Sequence, residues 1–230
     1  PPTLNRPDHH QVGPPARPDA EWGRRSTVWT VPSLDLGPWQ PVPLDEVVQC
    51  FARAPFRWWI AGGHALELHT GRSWRDHADT DVGICRTDAR QLPDVLDGWE
   101  IAVAAAGELR LWSGETLSLD RHENNLWARS EAGGPWELDV IVGEGDAEGW
   151  RYRRDPRLRL PWEEVVLRTR DGVPYLAPEV QLLFKAKGLR PKDEIDARQI
   201  VPTLAPDRRA RLQAWLDDGH PWQKLLRTGL

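Results

Sequence analysis

Three aspartates stand where carboxylates can do metal-dependent chemistry. Asp79 and Asp81 are two apart, at the entrance to the apolar run 80–85. Residues i and i+2 of a strand point to the same side. Two carboxylates there repel each other unless a cation lies between them, and hard oxygen ligands suit Mg2+ or Mn2+. Asp139 lies inside Trp136-Glu137-Leu138-Asp139-Val140-Ile141-Val142. An aspartate in a buried strand is costly unless it is hydrogen-bonded or binds metal. Each feature alone also fits a plainer role: a solvated strand end for Asp79 and Asp81, a hydrogen-bonded structural residue for Asp139.

Two neighbouring features point the same way. Gly62-Gly63 follows the apolar run 58–61 and precedes a helical pattern. Glycines let a backbone approach a phosphate closely, and a helix N-terminus supplies free N–H groups. Arg72, Arg75 and His77 precede Asp79, a cationic cluster suited to a polyphosphate. Together these features suit a site that holds a polyphosphate and a divalent metal.

The elements that must position these residues can be read from periodicity. Apolar residues at 44, 47, 48 and 51 predict a helix over 44–54. Strands are expected at 58–61, 80–85, 99–105, 108–112, 125–129, 136–142, 165–170 and 173–176. The last two flank Asp171-Gly172, a strong hairpin signal. A short helix is expected from Ala65 to Gly71 and another over 89–96. Helices then follow, opened by Pro178, Pro191, Pro206 and Pro221, since proline suits the first helical turn. The run 151–159, with Arg151, Arg153, Arg154, Arg157 and Arg159, is expected to be a loop. The fold class is therefore α+β: a mixed sheet core flanked by helices at 44–176, a helical segment at 177–230, and an irregular arm at 1–43. That arm holds ten of the 21 prolines, and three of the 14 tryptophans (Trp22, Trp29, Trp39) are expected to lay it along the body.

Composition excludes several classes. The 230 residues carry 30 basic and 35 acidic side chains, a net charge of −5. No apolar run approaches the ~18–20 residues of a membrane span. Nor is there the basic surface that non-specific nucleic-acid binding needs. Cys50 and Cys85, the only cysteines, make neither a disulfide framework nor a zinc site. With no signal-peptide pattern in the first 30 residues, a cytoplasmic location is expected. No Met is present, so the chain start is expected to be processed or trimmed.

Gly-Gly, a short helix and then G-R-x-x-R-x-H-x-D-x-D resembles the nucleotidyltransferases of the DNA polymerase β superfamily. The nearest likeness is to the aminoglycoside 2''-nucleotidyltransferases and lincosamide nucleotidyltransferases. A second stretch, from Ala177 to Lys187 and on to Asp196, is similar to that group's C-terminal helical segment. The resemblance implies a nucleotidyltransferase core and an enzyme that moves a nucleotidyl group from an NTP, with ATP expected, to a hydroxyl of a small molecule: the hydroxyl attacks the α-phosphorus, pyrophosphate leaves with Arg75 neutralising its charge, and Asp139 shares a metal or takes the hydroxyl proton. It implies that Asp79, Asp81 and Asp139 bind Mg2+ (or Mn2+), and that Gly62, Gly63, His64, Arg75, His77, Lys185 and Lys192 hold or neighbour the nucleotide. His64 departs from the Gly-Ser common at this turn.

Two other functions fit parts of the sequence. The arginines at 151–159 could touch phosphates in a toxin–antitoxin type nucleotidyltransferase acting on RNA or protein. A non-catalytic nucleotide-binding module is the third reading, and three intact carboxylates argue against it. His9-His10 and the 122–125 loop read as ordinary polar segments. Asp193, Glu194 and Asp196 read as acids favouring the dipole of a helix opened by Pro191. Trp58 and Trp59 are expected in the core, and Trp74 near ligand as a stacking surface.

Overall fold

The computed structural model describes residues 36–228. The expectations for Trp22, Trp29, His9-His10 and most of the proline-rich arm lie outside them. The elements are α1 (Leu44–Phe51), β1 (Trp58–Ile60), α2 (Gly62–Thr70), β2 (Asp81–Cys85), α3 (Leu92–Val95), β3 (Glu100–Ala105), β4 (Glu108–Leu111) and β5 (Asn125–Arg129). Next come β6 (Leu138–Gly145), β7 (Trp150–Tyr152), β8 (Asp155–Leu160), α4 (Trp162–Val165), β9 (Val166–Arg168) and β10 (Pro174–Leu176). Four helices close the chain: α5 (Pro178–Ala186), α6 (Pro191–Ile200), α7 (Pro206–Trp215) and α8 (Gln223–Thr228). Among the described residues, no helix is long and apolar enough to cross a membrane.

The strands form one open mixed sheet in the order β4-β3-β5-β6-β2-β1-β10-β9, with β7 and β8 continuing from β6. Two neighbour pairs run parallel, β2 with β6 and β1 with β10. The others are antiparallel. The β2–β6 pairing sets Asp81 beside Asp139 and Gly83 beside Ile141. Paired residues share a face, so two carboxylates 58 positions apart stand side by side on one surface.

That surface needs small residues where an indole lies across it. Trp59, opposite Gly83, is 3% exposed, and a Cβ at Gly83 would overlap its ring. The Trp59 ring also reaches Gly143 and packs on Trp162 at 5.7 Å. Further along the same face, Trp127, paired with Asp139, packs on Trp136 (5.8 Å), which also carries the Arg129 guanidinium (4.2 Å), and Trp39 completes the stack on Trp127. With Trp150 and Trp222 also fully buried, much of the tryptophan excess is core.

The helices end and begin where local chemistry dictates. Gly71 closes α2 in the left-handed conformation (φ +66), returning its N–H to Glu67. Proline opens α5, α6 and α7 at the first turn, whereas the last helix starts two residues beyond Pro221. Asp171-Gly172 turns β9 into β10, with Gly172 at φ +85. Two expectations fail. The 151–159 run is not a loop: β7 and β8 form an antiparallel hairpin in which Arg151, Arg157 and Arg159 alternate with Trp150, Tyr152, Leu158 and Leu160, and Arg153 and Arg154 make the turn. The strand expected from Val165 begins one residue later, because Trp162–Val165 winds one helical turn after Pro161.

Candidate active site

The sheet face carrying Asp81 and Asp139 opens into a cleft beneath α5 and the β7–β8 hairpin. Gly62, Gly63, Arg75, Asp79, Lys185 and Lys192 also line it, so eight of the ten residues expected at the site meet in one place. His77 and His64 do not line it. The His64 ring stacks on His77 at 3.9 Å and faces a separate depression beside α2. Burial and the neighbouring His77 push the His64 imidazole down to about 4, so it is neutral at pH 7. An expected direct contact between His64 and the nucleotide thus has no support in its placement.

The glycine pair is fixed by crowding. Gly62 adopts φ +64, and a Cβ there would overlap Asp81 Oδ2. A Cβ on Gly63 would overlap the Arg75 guanidinium and the His77 ring. First-turn amides of a helix lack intrahelical partners. That of Gly62 donates to Gln181 Oε1 at 2.8 Å, which ties α2 to α5. Glycine is needed here because site side chains press on the backbone, in addition to any phosphate.

The carboxylates are electrostatically tense. Burial, then Asp139, then Asp79 raise the Asp81 carboxyl well above the usual range. Burial pushes Asp139 up to about 7 against a lowering hydrogen-bond contribution from Asn125, and Asp79 raises it further. Asn125 Nδ2 donates to both Asp139 oxygens at 2.9 and 3.1 Å, fixing the carboxylate plane. Asp81 accepts no side-chain hydrogen bond from the described residues, and its nearest cations, Lys185 and Lys192, act only through space. An unpaired, half-buried carboxylate beside a second one is a donor set that fits a divalent cation.

Another set of potential ligands is more compact. Among the described residues, His64, Glu67 and His77 are the one group of three whose ligand atoms all lie within 4.8 Å of one another. Arg75 Nη1 donates to His77 Nδ1 at 3.1 Å, which leaves the ring proton on Nε2, 3.1 Å from Glu67 Oε2. Glu67 Oε1 accepts from Ser73 Oγ (3.0 Å) and the Trp74 amide (3.1 Å). This group braces the loop that delivers Asp79.

A buried ion network supports the site from behind. Asp196, fully buried, accepts from Arg75 Nε (2.9 Å) and Nη2 (3.0 Å), from Trp74 Nε1 (2.9 Å) and from Lys185 Nζ (2.9 Å). Asp193, also fully buried, takes Lys185 Nζ at 3.4 Å and the Arg190 guanidinium at 2.8 and 3.1 Å. The expectation that Asp193 and Asp196 merely serve the helix dipole is corrected: their side chains turn inward to hold the cations of the cleft. Glu194 accepts from Trp222 Nε1 at 2.8 Å instead. Trp74 is not a lining residue of the cleft; its indole N–H is spent on Asp196. Asn125, Gln181, Asp193, Asp196 and Arg190 were not singled out from sequence as site residues. Only the likeness of the 177–196 stretch pointed towards four of them.

A glycine turn, a D-x-D strand and a third aspartate in register meet on one mixed sheet, the arrangement that the sequence led us to expect of a nucleotidyltransferase site. Residues 43–122 match the family model of the aminoglycoside-2''-adenylyltransferases, and the chain is similar to that family over this stretch. No curated protein matches the chain in sequence. Among solved structures, ANT(2'')-Ia in complex with adenylyl-2''-tobramycin has a TM-score of 0.49 at 12% identity, over 80% of this chain and 94% of that one. The lincomycin-bound lincosamide antibiotic adenylyltransferase LnuA has a TM-score of 0.46 at 17% identity, over 68% and 95%.

Proposed function

We propose that the protein is a Mg2+-dependent nucleotidyltransferase that moves a nucleotidyl group from an NTP, ATP first among them, to a hydroxyl of a small molecule, releasing pyrophosphate. The observation that carries this reading is the register of Asp81 with Asp139, with Gly62 packed against Asp81 in the same cleft. Asp79, Asp81 and Asp139 would hold the metal. Bound there, Mg2+ would polarise the α-phosphate and lower the charge on the leaving pyrophosphate. The Gly62–Gly63 backbone receives the triphosphate, and Arg75, Arg190 and Lys192 neutralise it. Lys185 is committed to Asp193 and Asp196 and positions rather than transfers. Asp139, oriented by Asn125, accepts the hydroxyl proton.

Aminoglycosides are the first acceptors to try, since residues 43–122 match the aminoglycoside-2''-adenylyltransferase model, and lincosamides come next on the resemblance of the Gly62–Asp81 motif. The test is a matrix of four NTPs against both acceptor classes, with products read by mass. An acceptor carrying one added nucleotidyl group supports the reading. NTP hydrolysis without any adduct across a broad hydroxyl panel refutes transfer.

A further inference from the structure

The cleft has a second basic end that the transfer chemistry does not use. From Asp139 its floor runs along β6 through Ile141 and Gly143 to Glu144, which pairs with Arg151 on β7. Five residues of strand span roughly 16 Å. Arg151 lies at that far end, and because β7 runs antiparallel to β6, Arg153 and Arg154 follow it back along the wall of the cleft; all three line it. The carboxylate end already has its own cations in Arg75, Lys185, Arg190 and Lys192.

These arginines are incompletely satisfied. Arg153 makes no ion pair with any described residue, and its Nη1 is buried without a hydrogen-bond partner. Its guanidinium lies 5.7 Å from the Phe184 ring, and Arg154 sits over the same ring at 5.6 Å. Arg154 Nη1 donates only to neutral groups, Tyr152 Oη (3.2 Å) and the Phe184 carbonyl (3.1 Å). Arg151 Nε is also buried and unpartnered, while its Nη2 makes a long ion pair with Asp146 at 3.6 Å on the exposed side. The other carboxylate of this region, Glu144, is engaged by Arg86 at 2.7 Å. Burial, and next the adjacent Arg154, push the Arg153 guanidinium below its usual range, as expected of a cation without its anion. Buried guanidinium N–H groups are costly to leave unpaired, and their fork geometry matches phosphate and carboxylate.

We propose that Arg151, Arg153 and Arg154 form an anion subsite for the acceptor, so that the hydroxyl substrate carries a phosphate or carboxylate group at the end remote from the attacking hydroxyl. This rests on the transferase reading and narrows it, away from polycationic acceptors such as aminoglycosides. The triphosphate is the competing source of an anion. It has its own basic residues, Arg75, Arg190 and Lys192, in the part of the cleft that holds Gly62 and Gly63.

The test is equilibrium binding by calorimetry on the full chain with Mg2+, which needs no turnover. The probes are glucose 6-phosphate, glucose, tobramycin and a non-hydrolysable ATP analogue. Glucose 6-phosphate is expected to bind at least tenfold more tightly than glucose or tobramycin. Arg153→Gln and, independently, Arg151→Gln are expected to weaken it about tenfold or more, while the ATP analogue stays within twofold. Two variants keep the test open if one misfolds, and circular dichroism reports that. The proposal is overturned if glucose 6-phosphate binds no better than glucose, if neither variant weakens it, or if the ATP analogue weakens in parallel. Failure of the transferase reading shows separately, as absence of any nucleotidyl adduct with anion binding intact.

Discussion

Replacing Asp196 by Asn tests whether the site is held from behind by buried charge. The carboxylate accepts four hydrogen bonds at 2.9–3.0 Å from Arg75, Trp74 and Lys185, and is fully buried. An amide oxygen keeps the shape but removes the negative charge, and its NH2 faces donors. Lys185, 5% exposed at its side chain, would keep only the 3.4 Å contact to Asp193. Breaking a buried pair by removing one partner costs about 3–5 kcal/mol. For a domain of this size, 1 kcal/mol corresponds to roughly 2–4 °C in Tm, so a fall of about 6–20 °C is expected. The pH dependence has a defined sign. Burial pulls the Asp196 carboxyl up, but Arg75 and Lys185 outweigh it, so its folded value is lowered. Its stabilisation is therefore complete above the unfolded carboxylate range, near pH 4, and is lost as pH falls through the lower folded value. Thermal melts of wild type and Asp196→Asn from pH 3 to 8 should differ most at neutral pH and converge in acid. A Tm change under 2 °C at pH 7 would refute the network and return Asp196 to a helix-dipole role.

Three further outcomes follow from the same geometry. Asp81→Asn removes one of two half-buried like charges, so without metal it should raise Tm, while Mg2+ should raise Tm in wild type and not in the variant. Gly62→Ala puts a Cβ onto Asp81 at φ +64, and should cost about 1–2 kcal/mol in urea unfolding together with most activity. Gln181→Ala leaves the buried Gly62 N–H without its acceptor and should cost about 1–3 kcal/mol, against near-neutrality if water replaces the amide.

The legible part of this protein is the part encoded locally. Gly62-Gly63, the D-x-D pair, the Asp171-Gly172 turn and the proline-opened helices each depend on residues a few positions apart. Proximity of Asp81 and Asp139 depends on a parallel pairing across 58 residues with three strands inserted between them, which no local pattern states. Asp193 and Asp196 were misread because acids in a first helical turn have an ordinary explanation. Only the packing of α6 against Lys185 and Arg75 turns them inward. The β7–β8 hairpin was hidden because its alternation is of arginine with apolar residues, and charge density reads as loop. His64 was carried by its place in the motif, and its ring stacks on His77.

The central claim is that Asp81 and Asp139 act together on a metal-bound nucleotide. The most direct measurement is Mg2+-dependent pyrophosphate release from ATP with an accepted hydroxyl substrate, in wild type, Asp81→Asn and Asp139→Asn. The account predicts release in wild type that disappears with chelator, and a loss of about a hundredfold or more in each variant. Undiminished release in either folded variant would contradict it.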